Sequence, residues 1–556
     1  MLIRLCKDAI DLNQTIMAEQ PCDLGIIGLT SVGQCVAAHF AQSDQRVCVG
    51  DEDQSFVPEV VRAYQQQTEQ DGRKEDYDGL VPPSKCMVPS RELLDVIIRV
   101  KRPRKIVVFG TVANDAKFLE IWNQIVPQLE EGDTVLRWGR EEEGHYETNI
   151  QQYSKSVVAQ LSKKYTERGI NLLEMIRIDQ DRTAIWTEAN ASNAYMVGGP
   201  EEAFAAMQPY IAPFVTHVGL VGTDAACVHI ARVLQHTVEN CIGQAYAEGM
   251  DLMAKAAGFD HTDIGRTFNK WNSEGDSGGR LTSYLLKASS RIMYKRDNIT
   301  KQGFVIDYIR EVNSITDTDT FVYESSIRLG VPTPCINAAL EARLFCNMKE
   351  ERIEASEKLE VPAGADTPSV LKEQMCADLQ SSIYCTILVV FAEAFTVFQA
   401  IADRESWDVN IQECMRLWNV HGSLLRSKLL DDMHKAYKSH DEDPQSILLL
   451  PGLASELAAL HMSWRRTVTV CFASALPVPT LSAALTHYDM RRTPKLPMGM
   501  IQSQRDFFSG CGYERNDQPA GKTFSSCWTA DHTKQEQRKA KGCTKPPVKR
   551  KRKSDE

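Results

Sequence analysis

The residues best placed for ligand chemistry are two glycines in a short turn and two acidic residues about twenty positions later. Gly28 and Gly33 lie within the segment 24–34, and Asp51 and Glu52 follow the apolar segment 46–50. Strand, glycine turn, helix, strand and acidic tip is the order in which a dinucleotide-binding fold seats a pyrophosphate on a helix N-terminus. Asp51 would accept hydrogen bonds from the adenosine ribose, and Glu52 would repel a 2′-phosphate. We therefore expect NAD or NADP as the cofactor, with NAD favoured.

Within the turn, each residue type has a separate consequence. Gly28 allows the tight turn, and Gly33 lets the helix pack closely against the sheet. Thr30 occupies the middle glycine position, where a side chain can crowd the pyrophosphate. The candidate cofactor-binding residues are Gly28, Thr30, Val32, Gly33, Asp51 and Glu52. The alternative is a turn that merely joins a strand to a helix.

Length and composition limit the class of protein. A chain of 556 residues predicts two or three domains. The net charge of −11 argues against a general nucleic-acid-binding surface, except through a basic tail. Sixteen cysteines without CxxC pairs favour reduced thiols in an intracellular compartment, and no metal site is predicted. No apolar run of about 18 residues is evident, so neither a membrane span nor a secretory signal is expected.

The residue pattern changes twice along the chain. Up to about residue 223, strand-like and helix-like segments alternate, which predicts a parallel sheet; they are 105–110, 118–129, 132–136, 169–173, 194–199 and a helix turning into a strand at 209–221. Long helical stretches follow at 226–257, 376–402 and 453–472. The predicted fold class is an α/β Rossmann N-terminal domain followed by a large all-α domain and a C-terminal tail. We predict boundaries of 1–21 for an extension, 22–223 and 224–512 for the domains, and 513–556 for the tail.

Several segments together carry a family resemblance. They are the glycine turn, Arg104-Lys105-Ile106, and the segments 349–356, 463–466 and 501–508. In order and separation, over roughly residues 22–529, they resemble decarboxylating 6-phosphogluconate dehydrogenase. The resemblance implies a homodimer whose C-terminal tail reaches the other subunit. It also implies the pentose phosphate pathway reaction, in which NADP-dependent oxidation of 6-phosphogluconate precedes loss of CO₂ to leave ribulose 5-phosphate.

The resemblance also places the candidate catalytic residues on one helix. The family's general-base lysine corresponds to Arg232, which stays protonated at physiological pH and cannot readily take a proton. Glu239 matches the glutamate that protonates the product carbon. His236 takes the place of a substrate-binding asparagine and could serve as a substitute base near neutral pH. In the alternative interpretation, Arg232 and Glu239 form an ordinary ion pair.

The resemblance further implies a phosphorylated sugar acid as ligand, held by four side chains. Arg343 and Arg505 are retained at two of these substrate-binding positions. Thr320 replaces a lysine, and Cys511 replaces a histidine contributed by the other subunit's tail. Alternatively, the arginines form ion pairs with nearby carboxylates such as Asp506.

Two loops of the first domain depart from the family pattern. Arg137-Trp138-Gly139-Arg140-Glu141 stands where the family has a compact turn of an aspartate, two glycines, an asparagine and a serine. Residues near 183–185 replace a serine and two glycines whose amides hold the substrate carboxylate. Loss of that glycine turn removes a group of amide donors suited to a carboxylate.

The C-terminal segment 545–553 contains five consecutive basic residues after two prolines. It resembles a nuclear-import signal and could also contact polyanions weakly. The alternative is a solvated end that no receptor binds. We expect a cytoplasmic protein, with nuclear entry through this segment.

Three functions are consistent with these residues. The first is a divergent homologue that binds a dinucleotide but has lost or impaired decarboxylating activity, and serves a binding, regulatory or assembly role. The second is an active NAD(P)-dependent dehydrogenase of another hydroxy acid that uses His236 or Glu239 in proton transfer. The third is a working 6-phosphogluconate dehydrogenase with compensating residues.

Overall fold

A computed structural model of the chain describes residues 21–43, 45–70, 86–110, 115–139, 157–178, 194–273, 279–312, 315, 317–359, 371–440 and 444–528. The chain divides into two compact units, residues 1–485 and 486–556. The predicted loop residues Arg140, Glu141 and 183–185, the N-terminal extension up to residue 20 and the basic segment 545–553 lie outside the described residues.

An eight-stranded sheet forms the N-terminal part of the first unit. Its strands are β1 (Leu24–Ile27), β2 (Val47–Gly50), β3 (Met87–Pro89), β4 (Lys105–Phe109), β5 (Thr134–Trp138), β6 (Asn171–Arg177), β7 (Ala194–Gly198) and β8 (His217–Gly222). The strand order is β3-β2-β1-β4-β5-β6-β7-β8. All neighbours are parallel except β6 and β7, so the prediction of a parallel sheet is confirmed apart from this one pair.

Helices accompany the strands as in a Rossmann fold. They are α1 (Ser31–Gln42), α2 (Val57–Gln70), α3 (Leu93–Arg99), α4 (Asp115–Ile125), α5 (Val157–Thr166) and α6 (Glu201–Ile211). The central strands are buried on both faces, which explains their continuous apolar runs. The helix predicted from Pro209 onward begins earlier, because Glu201 and Glu202 provide a favourable acidic first turn. Pro209 therefore lies in the last turn of α6.

The sequence after the sheet is helical, as predicted. The helices are α7 (Cys227–Ala257), α8 (His261–Ser273), α9 (Tyr284–Tyr294), α10 (Asp317–Leu329), α11 (Pro334–Cys346), α12 (Lys349–Lys358), α13 (Lys372–Glu405), α14 (Ile411–Trp418), α15 (Lys428–Lys438), α16 (Pro451–Ala473) and α17 (Pro479–Arg491). By length and composition alone α13 could cross a membrane, but 83% of its most apolar 18-residue window is buried in the fold. Core packing thus accounts for the apolar surface of α13.

Two buried glutamates, one on each of the long helices α7 and α13, bind the first backbone amides of another helix. Glu248 on α7 accepts hydrogen bonds from the amides of Thr480 and Leu481 at the start of α17, at 2.9 and 3.0 Å. Glu393 on α13 accepts equivalent bonds from two amides in the first turn of α11, at 3.1 and 3.0 Å. Carboxylates at these positions satisfy amides that have no intrahelical partner. The two glutamates are 145 positions apart, and so are the amides that they bind.

The same separation relates two helix ends. Gly330 follows α10 with a φ of 72°, and Ala475 follows α16 with a φ of 55°. At both ends the left-handed residue donates its amide to the carbonyl three residues earlier, and the next amide donates to the carbonyl five residues earlier at 2.8 Å. This is the Schellman arrangement. The helical region therefore contains an internal structural repeat, which the sequence analysis did not detect.

A short segment between α13 and α14 pairs with the outer edge of β8 at the C-terminal end of that strand. The Thr223 amide donates to the Asp408 carbonyl, and the Asn410 amide donates to the Val221 carbonyl, both at 2.9 Å. Gly219 on β8 is required at this contact, since a Cβ there would come within 1.6 Å of a Glu413 carboxylate oxygen. The helical region thus supplies backbone partners for the end of this edge strand.

The second unit contains α18 (Gly499–Ser509) and a hairpin of β9 (Tyr513–Glu514) and β10 (Thr523–Phe524). Asp506 on α18 is buried and accepts hydrogen bonds from the amides of Gly512 and Ser526 at 2.9 Å. It also accepts a bond from the Trp528 indole at 2.8 Å. Residues 513–528 are therefore held on α18, an ordering that the polar composition of the predicted tail did not indicate.

Candidate functional site

The glycine turn connects β1 to α1 as predicted. Gly28 has a φ of 91°, and a Cβ at Gly33 would approach the Gly28 carbonyl oxygen to 2.3 Å. Both positions therefore require glycine, the first for its backbone conformation and the second for close packing. Thr30 is the N-cap of α1, where its hydroxyl accepts a hydrogen bond from the Gly33 amide at 3.2 Å. Val32 is half-buried and packs against the apolar core on one face of the sheet.

The acidic residues after β2 hold positions around this turn. The Asp51 carboxylate accepts hydrogen bonds from the Leu29 amide at 2.6 Å and from the Asp53 amide at 3.0 Å. It thereby ties the tip of β2 to the glycine turn. Glu52 forms an ion pair with Lys117 on α4, with 3.0 Å between the carboxylate oxygen and the ammonium nitrogen.

These residues fit the adenosine and pyrophosphate end of a dinucleotide. The first amides of α1 lack intrahelical partners and lie at the positive end of the helix dipole, an arrangement suited to a pyrophosphate. The strand order reverses between β1 and β4, and ligands of open α/β sheets bind beyond the strand ends at such a point. A bound nicotinamide dinucleotide would supply hydride-transfer chemistry, with Gly28, Thr30 and Gly33 near its pyrophosphate and Asp51 near its ribose.

The candidate catalytic residues lie along one face of α7. Arg232 is buried, with 5% of its surface exposed, and Glu239 lies about two turns further along. The Gln235 amide donates to Glu239 Oε1 at 3.1 Å, and His236 Nδ1 lies 3.8 Å from Glu239 Oε2. Asn240 Nδ2 lies 3.1 Å from His236 Nε2, which favours the tautomer that carries its proton on Nδ1, toward Glu239. The structure thus places His236 and Glu239 together.

A second polar cluster lies where the sheet meets α7. Arg137 on β5 is fully buried, with its Nη1 3.6 Å from Glu174 Oε2 on β6. His229 Nε2 on α7 lies 3.6 Å from the other Glu174 oxygen, and the Arg137 guanidinium stacks 4.6 Å from the Phe118 ring centre. Glu174 and His229 were not predicted as site residues from the sequence. A charged residue among apolar neighbours in each of two strands was the available signal for the Arg137–Glu174 pair.

Arg137 and Trp138 are therefore strand residues, and the expectation of a bulky charged loop at these two positions is wrong. Trp138 is buried against Phe109, with ring centres 5.3 Å apart, and lies 5.9 Å from Tyr195. The backbone register of β5 with β4 and β6 continues through both residues. The physical reason is that Glu174 compensates the charge of Arg137 and the aromatic core accepts Trp138.

The candidate phosphate-binding residues are divided between the two units. In the first unit, Thr320 is half-buried in the first turn of α10, and Arg343 is half-buried near the end of α11. In the second unit, Arg505 is exposed on α18, with a nitrogen 3.5 Å from Gln502, and Cys511 is exposed. Asp506 binds the hairpin, so the alternative in which it pairs with Arg505 does not describe its main contacts.

Comparison with known proteins gives a consistent result. The family model of the 6-phosphogluconate dehydrogenase C-terminal domain matches residues 228–528. A decarboxylating 6-phosphogluconate dehydrogenase of Synechocystis sp. is 27% identical over 438 residues, covering 77% of this chain and 85% of that protein. A decarboxylating 6-phosphogluconate dehydrogenase of Oryza sativa subsp. japonica is 25% identical over 517 residues, covering 91% and 97% respectively.

Among solved structures, the chain is similar to a 6-phosphogluconate dehydrogenase of Plasmodium falciparum. The TM-score is 0.70 at 22% identity, with 91% of this chain and 100% of the other covered. That enzyme was solved in its apo form, with its cofactor NADP⁺ and with its substrate 6-phosphogluconate. At this identity the likeness establishes the shared fold.

Proposed function

Since this chain belongs to the 6-phosphogluconate dehydrogenase family, we propose that it binds a nicotinamide dinucleotide while its oxidative decarboxylation of 6-phosphogluconate is lost or greatly impaired. Dinucleotide binding is supported by the tight glycine turn, the N-terminus of α1 and the cofactor of the Plasmodium relative. NAD is favoured over NADP because Asp51 and Glu52 place negative charge beside the turn. The protein would then serve a binding, regulatory or assembly role.

The observation that carries this proposal is Arg232, buried on α7 where the family resemblance places the general-base lysine. Hydride loss from a hydroxyl carbon needs a group that can take the hydroxyl proton. A guanidinium stays protonated in proteins and presents only donors, so it can bind an anion but cannot act as this base. Glu239 retains the proton donor position without the base it would work with.

The Arg137 cluster supports the same proposal. The family has a compact turn of small residues there, whereas this chain has a buried guanidinium and an indole packed into the sheet. Both side chains are large, and the aromatic contacts of Trp138 fix its position. The volume and charge at the end of β5 are therefore unlike those of a small polar substrate loop.

Titration calorimetry with NAD⁺, NADP⁺ and 6-phosphogluconate, followed by absorbance of reduced nicotinamide, tests the proposal. We expect saturable dinucleotide binding together with little or no turnover of 6-phosphogluconate. The Arg232→Lys variant restores the amine and is the matched comparison, while Arg266→Lys on the exposed surface of α8 is the control. Ordinary turnover by the unmodified protein would refute the loss of activity and favour a 6-phosphogluconate dehydrogenase with compensating residues.

The second candidate is an active NAD(P)-dependent dehydrogenase of another hydroxy acid. The observation in its favour is the His236–Glu239 pair, because histidine is the side chain that most often serves as general acid or base and this one lies 3.8 Å from a buried carboxylate. Turnover in a hydroxy-acid panel that disappears in both His236→Ala and Glu239→Gln would support it. Absence of turnover with every acid, alongside dinucleotide binding, would exclude it in favour of the first proposal.

We further propose that the protein is a homodimer in which the tail reaches the other subunit. In support, α18 exposes apolar side chains, with 81% of Phe508 and 67% of Met500 accessible in the single chain. Light scattering after size exclusion should give the mass of two chains. Phe508→Ser should weaken the dimer, whereas Phe472→Ser, an exposed phenylalanine on α16, serves as the control. A monomer at all concentrations would contradict the proposal.

The resemblance to family members that bind 6-phosphogluconate also suggests a phosphorylated sugar acid as ligand, with Arg343 and Arg505 as its contacts. Calorimetry with Arg343→Gln and Arg505→Gln tests this.

For the cellular location of the protein, we propose the cytoplasm, with nuclear entry through the basic segment 545–553. Loss of nuclear fluorescence from a tagged chain truncated at residue 544 would support import, and unchanged distribution would contradict it.

A further inference from the structure

We infer that the Glu52–Lys117 ion pair is the element that distinguishes a free adenosine ribose from one carrying a 2′-phosphate. In this inference, Lys117 is a cation at the nucleotide crevice that forms an ion pair with Glu52. The inference rests on the proposed dinucleotide binding and adds a residue that no sequence motif identified. It assigns the discrimination between NAD and NADP to the contact of Glu52, after β2, with Lys117 on α4, rather than to the acidic residues after β2 alone.

The topology explains why this contact lies at the crevice. Glu52 follows β2, and Lys117 lies in the first turn of α4, the helix that follows β4. In the sheet, β1 lies between β2 and β4, so an ion pair joining their C-terminal connections spans the end of β1. The glycine turn also begins at that end, at Gly28. The pair thus bridges the switch point beyond which ligands of open α/β sheets bind.

The charges around this contact favour the dinucleotide without a 2′-phosphate. Three successive carboxylates, Asp51, Glu52 and Asp53, follow β2, and the Glu52 carboxylate lies 3.0 Å from the ammonium of Lys117. Asp51 is engaged by the Leu29 amide and Asp53 by the Ser55 hydroxyl and amide, so Glu52 is the one paired with the lysine. Both partners remain partly accessible, with side-chain exposures of 44% for Lys117 and 32% for Glu52. A 2′-phosphate would compete with Glu52 for the lysine and be repelled by the remaining carboxylates.

Removal of the Glu52 charge and removal of the Lys117 charge should therefore change the ratio of NADP⁺ to NAD⁺ affinity in opposite directions. In Glu52→Gln, the Lys117 ammonium loses the Glu52 carboxylate as a partner, so a phosphate no longer competes with that carboxylate for the lysine. The ratio of NADP⁺ to NAD⁺ affinity should then rise about two- to fivefold, the range typical of a partly exposed charge contact. In Lys117→Gln, the carboxylates lose their counter-cation, so the same ratio should fall. The double variant should lie between the two single variants.

Equilibrium calorimetry on the full chain measures these ratios without reference to turnover. The probes are NAD⁺, NADP⁺ and the fragment pair adenosine 5′-monophosphate and adenosine 2′,5′-bisphosphate, titrated at two salt concentrations. Glu59→Gln, which removes an exposed glutamate from α2, is the matched control for net charge and should leave the ratio unchanged. The gain in Glu52→Gln should shrink at high salt, because contacts between partly exposed charges are screened.

The possible outcomes distinguish failure of the ion-pair assignment from failure of the proposed dinucleotide binding. NAD⁺ binding by the unmodified chain, with an unchanged NADP⁺ to NAD⁺ ratio in Glu52→Gln, overturns the ion-pair assignment and leaves dinucleotide binding intact. An equal gain in Glu52→Gln and in Glu52→Gln/Lys117→Gln also overturns it, since Lys117 would then contribute nothing. Binding of neither dinucleotide by any of these proteins overturns the proposed function and this inference together.

Discussion

The two related helix ends at Gly330 and Ala475 give the sharpest test of the internal repeat. Both residues have left-handed backbones within the same hydrogen-bonded turn, yet only one of them is glycine. Nothing lies within 4 Å of a Cβ built on Gly330, so Gly330→Ala has a purely conformational cost. A left-handed alanine costs about 1–2 kcal/mol, and the reduced entropy of the unfolded chain returns about 0.4–1 kcal/mol.

We therefore expect Gly330→Ala to lower the free energy of unfolding by about 1 kcal/mol and Ala475→Gly to raise it by a similar amount. Ala475 is exposed, so loss of its methyl group removes little packing. Since separate sites add, the double exchange should return close to the original stability. Hydrogen exchange of the two helix ends, alongside chemical unfolding, resolves the roughly fivefold change in local opening. Equal or lower stability of Ala475→Gly would refute the reasoning.

Three other contacts give predictions that unfolding experiments can check. Glu393→Gln should cost about 1.5–3 kcal/mol in chemical unfolding, because the buried amides of α11 lose a charged acceptor. Burial raises the pKa of Asp506, but hydrogen bonds from the hairpin amides and the Trp528 indole outweigh this and hold the pKa below its ordinary value. The stability that Asp506 contributes is therefore complete above the ordinary aspartate pKa of about 3.9 and is lost as the pH falls below it, which Trp528 fluorescence should report. Glu174→Leu should cost about 3–5 kcal/mol because it leaves the Arg137 charge buried, whereas Glu174→Leu combined with Arg137→Met should cost less.

Matched variants separate these effects from general changes in charge. Glu405→Gln removes an exposed carboxylate from α13 and should leave unfolding unchanged, in contrast to Glu393→Gln. In Asp506→Asn the acid-induced change in Trp528 fluorescence should vanish, while Asp517→Asn on the exposed turn should retain it. A double variant at Arg137 and Glu174 that is less stable than Glu174→Leu alone would contradict the buried-charge argument.

Much of the fold could be predicted from local patterns. Apolar runs ending in glycine identified the central strands, and long 3.6-residue periodicity identified α7 and α13. The antiparallel pairing of β6 with β7 could not be predicted, because the intervening segment carries no signal for the direction of return. The repeat was missed because its halves share few residues, although paired features such as Glu248 and Glu393 recur at a fixed separation.

The candidate site divides in the same way. Gly28 and Gly33 were predictable because backbone geometry leaves no other residue type suitable there. The Glu52–Lys117 pair and the Arg137 cluster were not, since each joins residues from separate strands or helices whose proximity only the folded chain reveals. The roles of Arg232, Glu239 and the phosphate-binding arginines rest on family resemblance and remain predictions.

The cover on the outer edge of β8 has a consequence for synthesis of the chain. The backbone of Asp408 and Asn410 that pairs with β8 is made roughly 190 residues after that strand. At about 5–20 residues per second, the ribosome would leave this edge uncovered for roughly 10–40 seconds. Exposed strand edges template pairing with other chains, so a nascent or truncated N-terminal part carries an aggregation risk that the complete chain does not. Premature termination between residues 222 and 408 would therefore leave the end of β8 without these backbone partners.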